Sequence, residues 1–274
     1  MKPIKAILSL SLLTLIAAAR AQATVIVTYA EDPGYRHETS SLVDTATLTF
    51  DSLSTGVHNK VGDSALTWAG VGTFNQLDIL KADQYGGAYN ADTGKSTNYS
   101  VQGVGSSVSQ TILNLNNPSA YFGLWWSAGD ASNVLDFYSG KDGTGTLLAE
   151  FTTANLLKAL PKSYYGNPNP GSNSGKDAGE PFAFINFFAV EGTTWNSIVF
   201  RNSSSSGFES DNYTSRVAAY DPTTDGAMPG VVVEAINGKE EVTLVPEPSA
   251  KWAMFLIGGL SLGSPLFRRS RKTT

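Results

Sequence analysis

Short apolar stretches recur along the middle of the chain, each bounded by Gly, Asp, Asn or Ser. "VIVTYA" (25–30), "ATLTF" (46–50), "ALTWA" (65–69) and "FNQLDIL" (74–80) open the series. "VSQTILNL" (108–115), "AYFGLWW" (120–126), "NVLDFY" (133–138) and "TLLAEF" (146–151) continue it. "FAFINFFAV" (182–190), "WNSIVF" (195–200) and "YTSRVAA" (213–219) complete it. β-branched and aromatic residues in short runs, with turn chemistry between them, predict an all-β chain. The fold expected is an antiparallel β-sandwich, jelly-roll-like, with one short helix.

The pattern also assigns faces. In "NVLDFY", Leu135 and Phe137 share one face and Asp136 and Tyr138 the other, as in a sheet with one wet side. "FAFINFF" is apolar on both faces except at Asn186, which predicts a central strand covered on both sides. In "WNSIVFR", Ile198 and Phe200 should point inward, Ser197 and Arg201 outward. Asn237-Gly238 within "EAINGKEEV" (234–242) is a two-residue hairpin signal. "ANLLKAL" supplies the helix, with Thr152 or Thr153 as cap and Pro161 as stop. The Gly/Asn/Pro/Ser stretch 166–181 reads as a loop longer than ordinary connections, hence functional, mobile or both.

The two ends do not belong to this series. Lys2 and Lys5 precede an apolar run from Ala6 to Ala19, and Ala21-Gln22-Ala23 matches a small-x-small cleavage site. That is the layout of a secretory signal peptide over 1–23, removed before Thr24. At the other end, "VPEPSA" (245–250) is followed by the apolar "WAMFLIGGLSLGSPLF" (252–267) and the basic "RRSRK" (268–272). The body is then 24–244 and the tail 245–274.

Composition changes the picture once these ends are set aside. Between Thr24 and Pro246 there are 11 Lys+Arg against 23 Asp+Glu, a net charge of −12. Phosphate binding needs clustered Lys and Arg, so neither nucleic acid nor anionic lipid is an expected partner of the body. The chain has no cysteine. Thiol nucleophiles, Cys-based zinc sites and Fe–S clusters are excluded, and an exported body must be held together by its core.

Few motifs carry chemistry. "TGKST" (93–97) lacks the earlier glycine of a phosphate loop, since Tyr89 stands there. "GSNSG" (171–175) has Asn173 where a nucleophilic serine would stand. His37 and His58, the two histidines, have no metal-ligand spacing. "DPTTDG" (221–226) begins a calcium-loop pattern but has Thr223 at its third position and Val232 at its twelfth. "FESDN" (208–212) gathers Glu209, Asp211 and Asn212 in an expected turn. These three hard oxygen donors could hold Ca²⁺ with backbone carbonyls, or form an acidic turn bonded to its own backbone. No other cofactor is implied. In "YFGLWWSAGDASN" (121–133), adjacent Trp125 and Trp126 should face opposite ways, one into the core and one outward. An outward indole could stack on a sugar ring, unless a loop covers that face.

The tail resembles the PEP-CTERM sorting signal of Gram-negative bacteria: Pro246, Glu247 and Pro248, then the hydrophobic segment, then Arg268, Arg269, Arg271 and Lys272. The resemblance implies export by the general secretion machinery and recognition by exosortase, a membrane protease. Lys251, Pro265 and Ser270 are small departures from the pattern. Sixteen residues span about 24 Å as a helix, less than the ~30 Å bilayer core, which suits a transient inner-membrane anchor better than a permanent one. The basic end should stay cytoplasmic.

The body resembles a family of exosortase-dependent surface proteins through "YFGLWWSAGDASNVLDFY" (121–138) and "FFAVEGTTWNSIVFRNSSSSGFESDNYT" (187–214). "FDSLSTG" (50–56) and "DQYGGA" (83–88) extend the likeness. In that family a histidine often stands where this chain has Tyr213. The resemblance implies an address and a fold, and no catalytic residues. The expected function is a non-enzymatic surface or extracellular-matrix protein, structural or exopolysaccharide-associated. The alternatives are a carbohydrate-binding module using Trp125 or Trp126, with or without Ca²⁺, and a glycan-active hydrolase using two of the carboxylates.

Overall fold

A computed structural model describes residues 24–34, 42–90, 94–190 and 192–242, all within one compact unit that ends at Val242. The predicted signal peptide, the sorting tail with its hydrophobic segment 252–267, and His37 lie outside the described residues. Among the described residues, no helix is long and apolar enough to cross a membrane.

Strands dominate. The first nine are β1 (Val25–Tyr29), β2 (Ala46–Leu48), β3 (Gly56–His58), β4 (Thr67–Trp68), β5 (Gly72–Phe74), β6 (Leu77–Leu80), β7 (Tyr89–Asn90), β8 (Lys95–Ser96) and β9 (Tyr99–Gly103). Then come β10 (Gln110–Ser119), β11 (Tyr121–Ser127), β12 (Asn133–Tyr138), β13 (Leu147–Thr152), α1 (Thr153–Ala159), β14 (Ala183–Ala189), β15 (Trp195–Asn202), β16 (Gly207–Arg216), β17 (Val231–Asn237) and β18 (Glu240–Glu241).

Two sheets form the sandwich. One runs β18-β17-β1-β14-β11-β16-β9-β6-β3, with β2 also on β16; the other runs β13-β12-β15-β10-β5-β4. The core of the topology is a folded ribbon. β12 pairs with β13, β11 with β14, β10 with β15 and β9 with β16, all antiparallel. Successive pairs of this ribbon alternate between the two sheets, which is the jelly-roll arrangement.

The face assignments follow the pleat. Leu135, Phe137, Ile198 and Phe200 point into the core, and β14 is buried along its whole length between β1 and β11. Ser197 faces the other way but is covered, its hydroxyl donating to the Gly140 carbonyl at 2.6 Å and accepting from the Gly143 N–H at 3.1 Å. α1 starts after Thr152, which stands at the N-cap position without a side-chain capping bond, and stops before Pro161, which follows the C-cap Leu160. The β17–β18 hairpin closes around Gly238 and Lys239, with Gly238 at φ +59°.

β9 has no counterpart in the apolar pattern. Its polar residues Ser100 and Gln102 point inward, in register with Ser210 and the core residue Phe208. Gln102 Nε2 donates to Ser100 Oγ at 2.9 Å and Thr111 Oγ1 at 3.2 Å, which pairs its amide N–H group inside the sandwich, while Gln102 Oε1 has no partner. The strand's hydrophobic alternation is thereby inverted.

Aromatic rings join the sheets. Phe187 lies 4.9 Å from Phe137 and 5.1 Å from Phe151, centroid to centroid. Phe200 of one sheet stacks on Tyr213 of the other at 4.9 Å with an interplanar angle of 4°. Phe122 and Phe50 meet Tyr213 edge-on. With no disulfide available, this layer carries the cohesion of the fold. Phe187→Ala should lower stability by about 3–5 kcal/mol, measured by denaturant unfolding.

Candidate functional site

The tryptophan pair alternates as the strand requires, but neither ring reaches solvent: Trp125 and Trp126 are both 0% exposed. Trp126 enters the main core and its Nε1 donates to Asn133 Oδ1 at 2.6 Å. Trp125 faces the outer side of the larger sheet, in a second apolar cluster with Ala30, Ala88, Ala128, Phe182 and Phe184. That side is covered. The Phe182 N–H donates to the Tyr164 carbonyl, and the Tyr164 hydroxyl donates to the Ala30 carbonyl at 2.6 Å, closing chain over the indole. The outward sugar-stacking tryptophan is therefore corrected: a covering segment takes the face that a sugar would need.

"FESDN" is also corrected. It is not a turn but part of β16, carrying a β-bulge opposite Leu124. Asn212 sits at the bulge with φ 50°, a left-handed conformation that Asn tolerates better than most residues. The bulge leaves Glu209 and Asp211 on the outer face and turns Tyr213 into the core. Asp211 is fully buried and accepts from the Ala88 N–H at 3.0 Å, the Asn212 N–H at 2.6 Å and the Thr97 hydroxyl. Burial pushes its carboxyl up to about 8 despite these donors. Asp211 thus pins the segments on either side of β7 and β8 to the sheet, and the triad Glu209, Asp211 and Asn212 does not form one ligand set. Among the described residues, no three His, Asp or Glu side chains are gathered in a geometry that holds a metal.

Glu209 belongs to a different constellation. Asn167 and Asn169, each 1% exposed, tie the long loop 166–181 to the 83–87 segment. Asn167 Nδ2 donates to the Gln84 carbonyl at 2.9 Å, and Asn169 Nδ2 to the Gly87 carbonyl at 2.9 Å. The loop's neck is closed by Gly166 N–H to Glu180 O and Asn167 N–H to Lys176 O. A further bond, Gly129 N–H to Pro181 O at 2.9 Å, sets Asp130 beside Glu180. Asp177 lies one turn from Glu180, whose N–H donates to the Asp177 carbonyl. Asp83 accepts from the Tyr99 hydroxyl at 3.2 Å, on the face that Glu209 shares.

The result is an acidic rim of Asp83, Asp130, Asp177, Glu180 and Glu209. Burial, reinforced by Asp130, Glu180 and Asp83, pushes Glu209 up to about 8. Burial followed by Asp177 and Asp130 raises Glu180, and burial followed by Asp83 raises Asp177. Of the five only Glu209 stands out in the sequence. The others are scattered from 83 to 180 in Gly- and Ser-rich loops, and no local spacing links them.

Asp136 and Glu150 form another carboxylate pair, directly opposite each other on β12 and β13. Arg201 bridges both, at 2.8 and 2.9 Å, and Lys239 reaches Glu150 at 3.0 Å. Two cations neutralise the pair and occupy the space between strands, an arrangement suited to cohesion.

His58 faces acceptors from both ring nitrogens: Nδ1 lies 2.7 Å from Asp63 Oδ2 and Nε2 lies 2.8 Å from the Ser54 carbonyl. Two acceptors call for two N–H donors, hence the imidazolium. Burial opposes that charge, but the Ser54 carbonyl and Asp63 outweigh it and raise the histidine. The His58 hydrogen bond draws Asp63 down. Beside this pair is a shallow cleft of about 570 Å³ lined by Val61, Asp63, Leu66, Thr73, Phe74 and Asn75.

No family model matches the chain, and no curated protein matches it. Among solved structures, the K2 cleaved adhesin domain of Lys-gingipain (Kgp) is similar to it, with a TM-score of 0.35 and 13% identity. That match covers 62% of this chain and 98% of the adhesin domain.

Two outcomes are expected. Trp125→Ala should cost about 3–5 kcal/mol in denaturant unfolding, as a core truncation does. His58 has its folded value raised, so the stability it contributes is full below the ordinary imidazole value of 6.5 and is lost as pH rises through the raised one. Asp63 has the opposite sign, its contribution vanishing as pH falls through its lowered value. The melting-temperature gap between wild type and His58→Asn should therefore narrow as pH rises from 6 toward 9, and a gap constant with pH would refute the assignment.

Proposed function

We propose that this is an exported, non-enzymatic β-sandwich of the cell surface or extracellular matrix. In this reading exosortase sorts it through Pro246, Glu247 and Pro248, and it works in surface architecture or in association with exopolysaccharide. The observation that carries the reading is where the sandwich starts and stops relative to the two end signals. β1 begins at Val25, next to the predicted cleavage point before Thr24, and β18 ends at Glu241, five residues before Pro246.

The two ends of the body are bonded to each other. β1 pairs with β17, and the Thr24 N–H donates to the Ile236 carbonyl at 2.7 Å. The Thr24 hydroxyl shares its one proton between the same carbonyl and that of Leu148. A leader and a sorting tail at such positions can be removed without breaking a strand of the sandwich. The neutralised Asp136–Glu150 pair and the enclosed tryptophans favour a structural role over glycan hydrolysis or indole-based sugar stacking.

Mass spectrometry of the exported protein tests this. The expected form begins at Thr24 and lacks residues 252–274, while Pro246→Ala retains them. An exported chain intact through Thr274 would overturn the sorting reading.

A further inference from the structure

The acidic rim on the outer face of the larger sheet is built unlike a solvated patch. Ser127 and Glu209 are directly opposite on β11 and β16, so their side chains share one face. Ser127 is 0% exposed, and its hydroxyl has no hydrogen-bond partner. Buried Asp177 Oδ2 and Glu180 Oε2 likewise have none. Glu209 folds back over Gly207, its carboxylate filling the space that a Cβ at 207 would need. Asp130 and Glu180 are the chain neighbours of the bonded Gly129 and Pro181, and the charge of Asp130 acts on Glu180. The basic side chain acting on this group is Lys176, beside Asp177.

Carboxylates that act on one another and carry stranded acceptor oxygens are candidates to be joined by a cation, because buried charge is tolerated only when paired. We propose that this rim is a Ca²⁺ site, with Asp130, Asp177, Glu180 and Glu209 supplying carboxylate oxygens and Ser127 its hydroxyl oxygen. The donor set is all oxygen, which excludes the softer preferences of zinc and copper. The ligands come from three separate stretches: the end of β11 with the connection that follows it, the loop 166–181 and the start of β16. Ca²⁺ accepts six to eight oxygens in irregular geometry, whereas Mg²⁺ demands a compact octahedron and keeps its water. In the ion-free arrangement no three of these carboxylates meet at one point. Binding must therefore draw them together by side-chain rotation, fastening the long loop to the sheet. This set shares only Glu209 with the donors that the sequence alone suggested, and it stands independently of the sorting proposal.

The test uses the exported protein stripped with a chelator. Trp125, two residues from Ser127 on the same strand face, should sensitise Tb³⁺ luminescence at this site. One Tb³⁺ should bind per chain and be displaced by Ca²⁺ with a dissociation constant of about 10⁻⁴–10⁻³ M, and by Mg²⁺ far less readily. Glu180→Gln and Glu209→Gln should each weaken Ca²⁺ binding at least tenfold. Without the ion, Glu209→Gln should melt no lower than wild type, since a repelled buried carboxylate is removed. Glu240→Gln, on the exposed β17–β18 hairpin, should bind as wild type does. Should a glutamine variant fail to fold, Ser127→Ala reports in its place, with weakened binding and an unchanged ion-free melting temperature. Absence of saturable Tb³⁺ or Ca²⁺ binding by wild type would overturn the proposal. So would affinity unchanged in the folded variants.

Discussion

Phe187, Phe122 and Tyr213 on one sheet meet Phe137, Phe151 and Phe200 on the other, and this ring layer is what keeps the two sheets together. No disulfide assists it. Its placement depends on register, because a one-residue slip would turn every ring of a strand to the wrong face. β16 meets this requirement through the bulge at Asn212, which resets the alternation so that Phe208 and Tyr213 both point inward. The same bulge leaves Glu209 and Asp211 side by side on the outer face. Core packing and the acidic rim thus share one backbone irregularity.

The outer face of the larger sheet is not a wet face. The 83–88 and 161–182 segments lie over it, enclosing Trp125 in one place and raising the carboxylates in another. Asp211 fastens one of these segments through Ala88 and Thr97, and Asn167 and Asn169 fasten the two segments to each other. Polar side chains do this work by satisfying backbone groups that irregular chain leaves unpaired. A loop held in this way is a scaffold on which carboxylates from distant parts of the sequence can be brought together.

Much of the architecture was legible beforehand. "NVLDFY" and "FAFINFFAV" disclosed their faces because apolar alternation reports directly on burial. The proline at 161 and the glycine at 238 marked a helix end and a hairpin for steric reasons that are local. β9 escaped because Ser100 and Gln102 are buried in a polar network, which inverts the pattern. "FESDN" reads as a turn from sequence because a bulged strand and an acidic turn use the same residues.

The sequence by itself determined an all-β chain, the inward faces of its main strands and the acidity of the body. These follow from periodicity, composition and local sterics, which act over a few residues. Tertiary structure alone decided that both tryptophans are enclosed, that Asp136 and Glu150 are neutralised by Arg201 and Lys239, and that Glu209 faces Ser127 across two strands with Asp130 and Glu180 acting on it. Each of these depends on which segments lie over which face. That is set by hydrogen bonds between residues as far apart as Ala88 and Asp211, and no local pattern encodes them.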